Sequence, residues 1–433
     1  MRFDNRITEY GLAAKFFRIA VFAFLFFAHF VSHAAPLSNA RALGLAGAYS
    51  AVGSGAESPW TNPANLSFDK AHPFNLTFLG VGIGVSNSAF SVAEYNRYNG
   101  AYLGKQYKKD ILKSIPSSGL VIDSRGELGI VGIGIRRFAF GVSLINAGYA
   151  NIAKDLFELA LTGNELNRTY AFNPIRGDAL SALCFAVSYG APVRTSLKNI
   201  SRLGLGMTLK YYHGFGFAEM VHSHASSLTE YSSAAMDGDL ELRTAQGGDG
   251  VGLDLGVAAG LYENYSISIT LKNALNTIQW SKKTQRMDAS FSLYTTGIEE
   301  IVTGKGEVDS ILVSDDTTRN VARFSSRLPF VLNIGVAREI GRFELALEWK
   351  QGFKNSALSS RTPEFAFGCE YKLSKIIRLR LGQGIGGKKG YLFAYGIGLR
   401  FGSFQWDMAG CSMRGMPWNP AGIGLATQFS VGL

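Results

Sequence analysis

Three cysteines in 433 residues, Cys184, Cys369 and Cys411, are odd in number and far apart, so no disulfide framework or cysteine metal cluster organises the chain. Prolines are also few, 11 against 51 glycines, which excludes a proline-rich extended chain and puts the glycines inside ordered segments. After residue 34 no apolar run approaches the roughly 20 residues that a spanning helix needs. If the mature chain enters a membrane, it must do so as a closed barrel, because only helices and closed barrels satisfy every backbone group in lipid. No Gly-x-Ser-x-Gly occurs and nothing in the spacing brings Ser, His and acidic residues together, so the chain reads as a non-enzyme without a cofactor. His222 and His224 form a His-x-His pair with no third ligand nearby, so no metal is expected. Gly382, Gly384 and Gly387 fit Gly-x-Gly-x-x-Gly, yet Lys388, Lys389 and another strand follow where a nucleotide fold needs a helix.

What is present begins with a targeting signal. Lys15 and Arg18 precede an apolar run from Ile19 to Val31, and Ser32-His33-Ala34 supplies small residues for cleavage. Residues 1–34 are therefore expected to be a signal peptide, with the mature chain starting after Ala34. The formal charge is +10; Arg2, Arg6, Lys15 and Arg18 against Asp4 and Glu9 contribute +2 of it, which leaves +8. On an exported chain that balance points to outer-membrane lipid and lipopolysaccharide and away from nucleic acid.

The stretch from Pro329 to Phe353 states the rule for the rest. Phe330, Leu332, Ile334 and Val336 alternate with small or polar residues, a short turn follows, and Phe343, Leu345, Leu347 and Trp349 alternate with Glu344, Ala346, Glu348 and Lys350. A period of two places the two sets on opposite faces. Comparable segments recur about 14 times from residue 73 to 433, with long connections near 86–117, 150–176, 218–248 and 282–327. Long and short connections fall on alternate sides of the count, as in barrels with short periplasmic turns and long outer loops. The fold expected is an all-β, antiparallel transmembrane β-barrel of about 14 strands. Its lumen would carry charges of both signs, among them Asp254, Lys272, Glu344, Glu348, Lys350, Glu370, Lys372, Arg378, Arg380, Arg400 and Asp407. Interleaved signs point to ion pairs bracing the wall more than to a selective pore.

Residues 35–72 have another texture. Asn39-Ala-Arg-Ala-Leu-Gly-Leu-Ala-Gly-Ala-Tyr, a Gly/Ser/Ala/Glu interval, and Trp60-Thr-Asn-Pro-Ala-Asn-Leu66 resemble the opening of the FadL superfamily of outer-membrane transporters, which also includes PorV-like barrels. The resemblance implies a hatch inside the barrel, carried here by Asn62, Pro63 and Ala64, with Pro63 stiffening a kink and the Asn62 side chain meeting the freed backbone groups. It also implies passage of a hydrophobic small molecule, fatty-acid-like or aromatic, by diffusion past the hatch in the bacterial outer membrane. The long insertions depart from the fatty-acid channels, being polar and charged without a greasy helix pair. The second reading, a PorV-like scaffold or shuttle barrel that holds exported proteins, stays open at this point.

Overall fold

The computed structural model describes residues 38–68, 74–173, 175–197, 199–262, 264–295 and 312–432. The candidate signal peptide, residues 1–34, lies outside them, as do 35–37 and 69–72 of the expected hatch. Nineteen strands belong to one sheet. In chain order they are β1 (Phe74–Asn87), β2 (Leu120–Ile135), β3 (Phe138–Ile152), β4 (Arg168–Ala171), β5 (Arg176–Val193), β6 (Ile200–Thr229), β7 (Ala234–Ala245), β8 (Gly248–Leu261), β9 (Tyr265–Trp280), β10 (Gln285–Thr295), β11 (Leu312–Asn320), β12 (Phe324–Ser326), β13 (Val331–Ile340), β14 (Phe343–Gly352), β15 (Glu364–Lys372), β16 (Ile377–Gly386), β17 (Leu392–Phe401), β18 (Phe404–Met413) and β19 (Gly422–Gly432).

Fourteen of them close a ring. Antiparallel pairing runs β1–β2–β3–β5–β6–β8–β9–β13 and then without interruption to β19, which returns to β1. Closure removes the unpaired sheet edge that lipid does not tolerate. Alternation decides which face meets lipid. On β16, Leu381 is 57% exposed while its neighbour Arg380 is 2% exposed; on β14, Leu347 is 57% exposed and Glu348 is 7%. An apolar outer surface and a charged inner one suit a barrel in a membrane and would be inverted in a soluble one. Among the described residues no helix is long and apolar enough to cross a membrane. Aromatic pairs mark the short-turn end of the wall, Phe138 with Tyr189 at 4.9 Å and Phe343 with Tyr371 at 4.7 Å between ring centroids. Such a girdle belongs at the level of the lipid head groups.

All connections at that end are short, whereas those at the other end carry helices Val92–Tyr98, Lys105–Ser114 and Lys154–Thr162 and additional strands. Here the structure corrects the expectation that 218–248 and 282–327 are loops. β6 runs on to Thr229 and pairs with β7, β7 pairs with β10 and β10 with β11, so much of both stretches is sheet standing beyond the wall. Asp237, Asp239, Asp315 and Asp316 lie exposed on this extension. Its apolar contacts are one small cluster, Ala225, Met236 and Phe291 packed with Tyr170 and Phe172, so no long alternation of apolar residues is required and the pattern that marks a wall strand is missing.

Candidate functional site: the hatch and the chamber beside it

Residues 38–68 run through the inside of the ring, held against strands on every side of it. The segment has few side chains large enough to build a core of its own, so local caps define it. Asn39 Oδ1 accepts from Ala42 N at 2.8 Å and caps a single-turn helix, Ala40–Gly44. Two 3₁₀ turns follow, Gly55–Trp60 and Pro63–Ser67. Asn62 caps the second, its Oδ1 accepting from Ala64 N at 2.9 Å, and Pro63 fills the first helical position, where no N–H is needed.

On the side of β13 to β18 the hatch is held by charge. Arg41 donates to Glu370 at 2.9 Å and to Glu344 at 2.6 Å. Glu370 is fully buried and also accepts from Arg380 at 2.7 Å and Arg378 at 3.0 Å, while Arg380 reaches Asp407 at 2.6 Å. Glu348 accepts from the backbone N–H groups of Tyr49 and Ser50 and from Ser50 Oγ, at 3.2, 2.9 and 2.7 Å. Each buried charge thus has an opposite charge or several N–H and O–H donors, which is the condition for tolerating it away from water.

On the side of β5 to β9 the attachment is neutral and steric. Asn62 Nδ2 donates to Val257 O at 2.9 Å and to Ser268 Oγ at 2.7 Å. Gly206 and Gly256 let the hatch backbone lie against the wall: a Cβ at either would overlap Ala64 N or Asn62 Oδ1. Lys272 of β9 also reaches the hatch from this side, its Nζ donating to the neutral Trp60 carbonyl at 2.6 Å.

Beside the hatch lies a cavity of about 210 Å³. Tyr49 and Trp60 of the hatch, with Ile145, Tyr212, Leu328 and Val331 of the wall, give it an apolar part; Arg125, Lys210, Lys272, Glu348 and Lys350 give it a polar one. Lys210 is paired with Asp254 at 2.5 Å and Lys350 with Glu364 at 3.3 Å. The connection 353–363 folds inward over it and contributes Leu358 to its lining. That loop is fastened from three directions. Asp178 accepts from Ala357 N at 2.8 Å, Arg125 Nε donates to Ala357 O at 2.6 Å, and Lys388, itself paired with Asp123, donates to Ser356 O at 2.6 Å. Burial holds the Lys388 ammonium below the ordinary lysine range, although Asp123 beside it pulls the other way.

Residues 63–409 match the model of a family of unknown function, DUF5723. The chain belongs to the DUF5723 family. Comparison with curated proteins gives no match. Solved structures with a weak overall likeness to this DUF5723 chain include the P. putida toluene transporter TodX, at 13% identity and a TM-score of 0.49 over 91% of this chain and 98% of that one. Others are the Ralstonia pickettii toluene transporter TbuX, at 12% and 0.47 over 93% and 99%, and a Pseudomonas aeruginosa FadL homologue, at 14% and 0.45 over 92% and 98%.

The residues singled out in the DUF5723 sequence fall into three places. Glu344, Arg378, Arg380 and Asp407 gather around Arg41 and Glu370; Glu348 and Lys350 line the chamber; Arg400 lies at the short-turn end, where it shares a recess with Arg378, its Nε donating to Gly402 O at 3.3 Å. Arg41, Tyr49 and Glu57 escaped the sequence reading. Arg41 had a signal, since a lone cation in a small-residue segment bound for a lumen needs a carboxylate opposite. His222 and His224 lie on β6 and face Asp239 and Asp237 at 2.7 and 3.4 Å. No cluster of three metal-ligating side chains occurs among the described residues. The three cysteines are free, and Gly382 and Gly384 lie within β16.

Proposed function

We propose that this chain is an exported outer-membrane barrel that lets a small molecule with an apolar body diffuse past the hatch. The chamber between Trp60 and Leu358 is the observation that carries this reading. A structural plug has no need of a cavity lined by hatch, wall and infolded loop together, whereas a ligand with an apolar body and a polar end would use both parts of the lining. No energy source or cofactor enters: the inward loop and the hatch stand on the two sides of the chamber, and movement of either one connects it to one face of the membrane. The resident groups orient and exclude, with Tyr49 and Trp60 offering apolar contact and Lys272 and Lys350 facing a polar end.

The sheet formed by β6, β7, β10 and β11 supports the second reading, a scaffold that holds an exported protein, because it offers a broad exposed surface that diffusion does not require. Native mass spectrometry of the protein extracted gently from its own outer membranes separates the two. A small ligand that co-purifies with the wild type and is lost from Asn62→Ala supports passage past the hatch. An empty barrel that retains a protein partner supports the scaffold.

A further inference from the structure

The short-turn end of the barrel holds a recess that neither reading uses. It measures about 630 Å³ and is lined by Arg342, Lys372, Ser374, Lys375, Arg378 and Arg400, with Ile376 and Gly402. Three successive hairpins supply the five cations: Arg342 from the β13–β14 turn, Lys372, Lys375 and Arg378 from around the β15–β16 turn, and Arg400 from the end of β17. Among the described residues no carboxylate lines the recess. Lys372 is paired with Glu339 at 3.0 Å and Arg378 with Glu370 at 3.0 Å. Among the described residues Arg342, Lys375 and Arg400 have no ion-pair partner. The ladder register also sets Lys372 directly across from Arg378. Like charges directly opposite each other destabilise a sheet, so stability alone does not call for this arrangement.

We propose that this recess is a binding site for a small, multiply charged oxyanion, a phosphate ester or a polycarboxylate, that approaches from the short-turn side. Guanidinium groups fork onto two oxygens of such a ligand, and three unpaired cations in one concave space supply the charge that a single carboxylate cannot match. The site sits directly against the hatch attachment. Arg378 is bonded to Glu370, the carboxylate that holds Arg41, and Arg378 and Arg400 also line a second recess shared with Arg41, Tyr49 and Glu57. A ligand that draws Arg378 outward removes a cation that competes with Arg41 for Glu370 Oε1, so Glu370 then holds the Arg41 end of the hatch more tightly.

The test is calorimetric titration of the intact chain in nanodiscs at low salt, with pyrophosphate in one arm and citrate in the other. One saturable site per barrel is expected, weakened by about tenfold or more in Arg342→Ala/Lys375→Ala/Arg400→Ala, since charge-assisted hydrogen bonds are lost. The control Arg136→Ala/Arg137→Ala, on the β2–β3 turn at the same end, leaves the affinity unchanged. The arm that binds more tightly names the source of the oxyanion. Absence of saturable binding in both arms, or an equal loss in the control, overturns the site and leaves the passage reading standing. Amide hydrogen exchange supplies the second readout: pyrophosphate slows exchange at residues 42–50 in the wild type and not in the triple variant. Binding without that change overturns the link to the hatch.

Discussion

The hatch is fastened to its barrel in two unlike ways. Toward β13–β18 charges are added to close approach over glycines, Arg41 on Glu344 and Glu370, and the Tyr49–Ser50 backbone on Glu348. Toward β5–β9 the contacts are a neutral amide and close approach, Asn62 on Val257 and Ser268 and the turn at Pro63 laid over glycines. The strength of a charged attachment depends on every partner being in place, so loss of one strands the others. A steric seat has no such dependence and changes only if the backbone or a side chain intrudes. A hatch that moves would therefore be released at its Arg41 end and stay seated at Pro63.

The largest expected effect comes from the charged side. Glu370→Ala leaves Arg41, Arg378 and Arg380 around an empty place and is expected to destabilise the docked hatch by about 3–5 kcal/mol. Thermal unfolding and single-channel conductance of the variant in planar bilayers read this, the first falling and the second rising. Next is Gly206→Val, which pushes side-chain atoms into Ala64; overpacking of this kind costs about 1–3 kcal/mol. Faster exchange confined to amides 62–67 would show that the fixed end has been released without the charged end. Asn62→Ala removes a cap and two donated bonds, an expected loss of about 1–2 kcal/mol by the same thermal measurement.

The smallest effect is a pH dependence at Glu57. Burial raises its carboxyl above the ordinary glutamate range, against the bonds from Tyr49 Oη at 2.5 Å and Gln428 Nε2 at 3.2 Å. A carboxyl with a raised folded value favours the docked hatch in its protonated form. That contribution is full below the ordinary glutamate value and is lost as pH rises through the folded value. Hatch amides near Tyr49 should therefore exchange more readily, after correction for intrinsic rates, at about pH 8 than at about pH 5, and Glu57→Gln should flatten the difference.

The wall was legible in the sequence because lipid imposes a rule on every second residue. Leu379 and Leu381 must face out, which turns Arg378 and Arg380 in, and the count of such segments matches the ring. The outer extension from β6 through β11 was not, since strands that stand beyond the lipid and bury only one small apolar cluster obey no such rule. At the hatch the Asn62-Pro63-Ala64 motif was visible through resemblance, and the charges were visible one strand at a time. Their pairing was not, because Arg41 and Glu370 are brought together only by closing the ring across 329 positions. The recess at the short-turn end escaped for the same reason: Arg342, Lys375 and Arg400 come from three separate hairpins and share one space only after the strands are set side by side.

The most direct measurement locks the Arg41 end of the hatch to the wall. Ser50 lies against Gly335 on β13 so closely that a Cβ there would overlap its hydroxyl, which suits a cross-link between Ser50→Cys and Gly335→Cys. Flux of a small amphiphilic solute into proteoliposomes is then followed with the pair oxidised and after reduction. If the hatch moves to let the solute pass, flux falls on oxidation and returns on reduction. Equal flux in the two states would contradict a moving hatch, and would leave residues 38–68 as a fixed part of the wall.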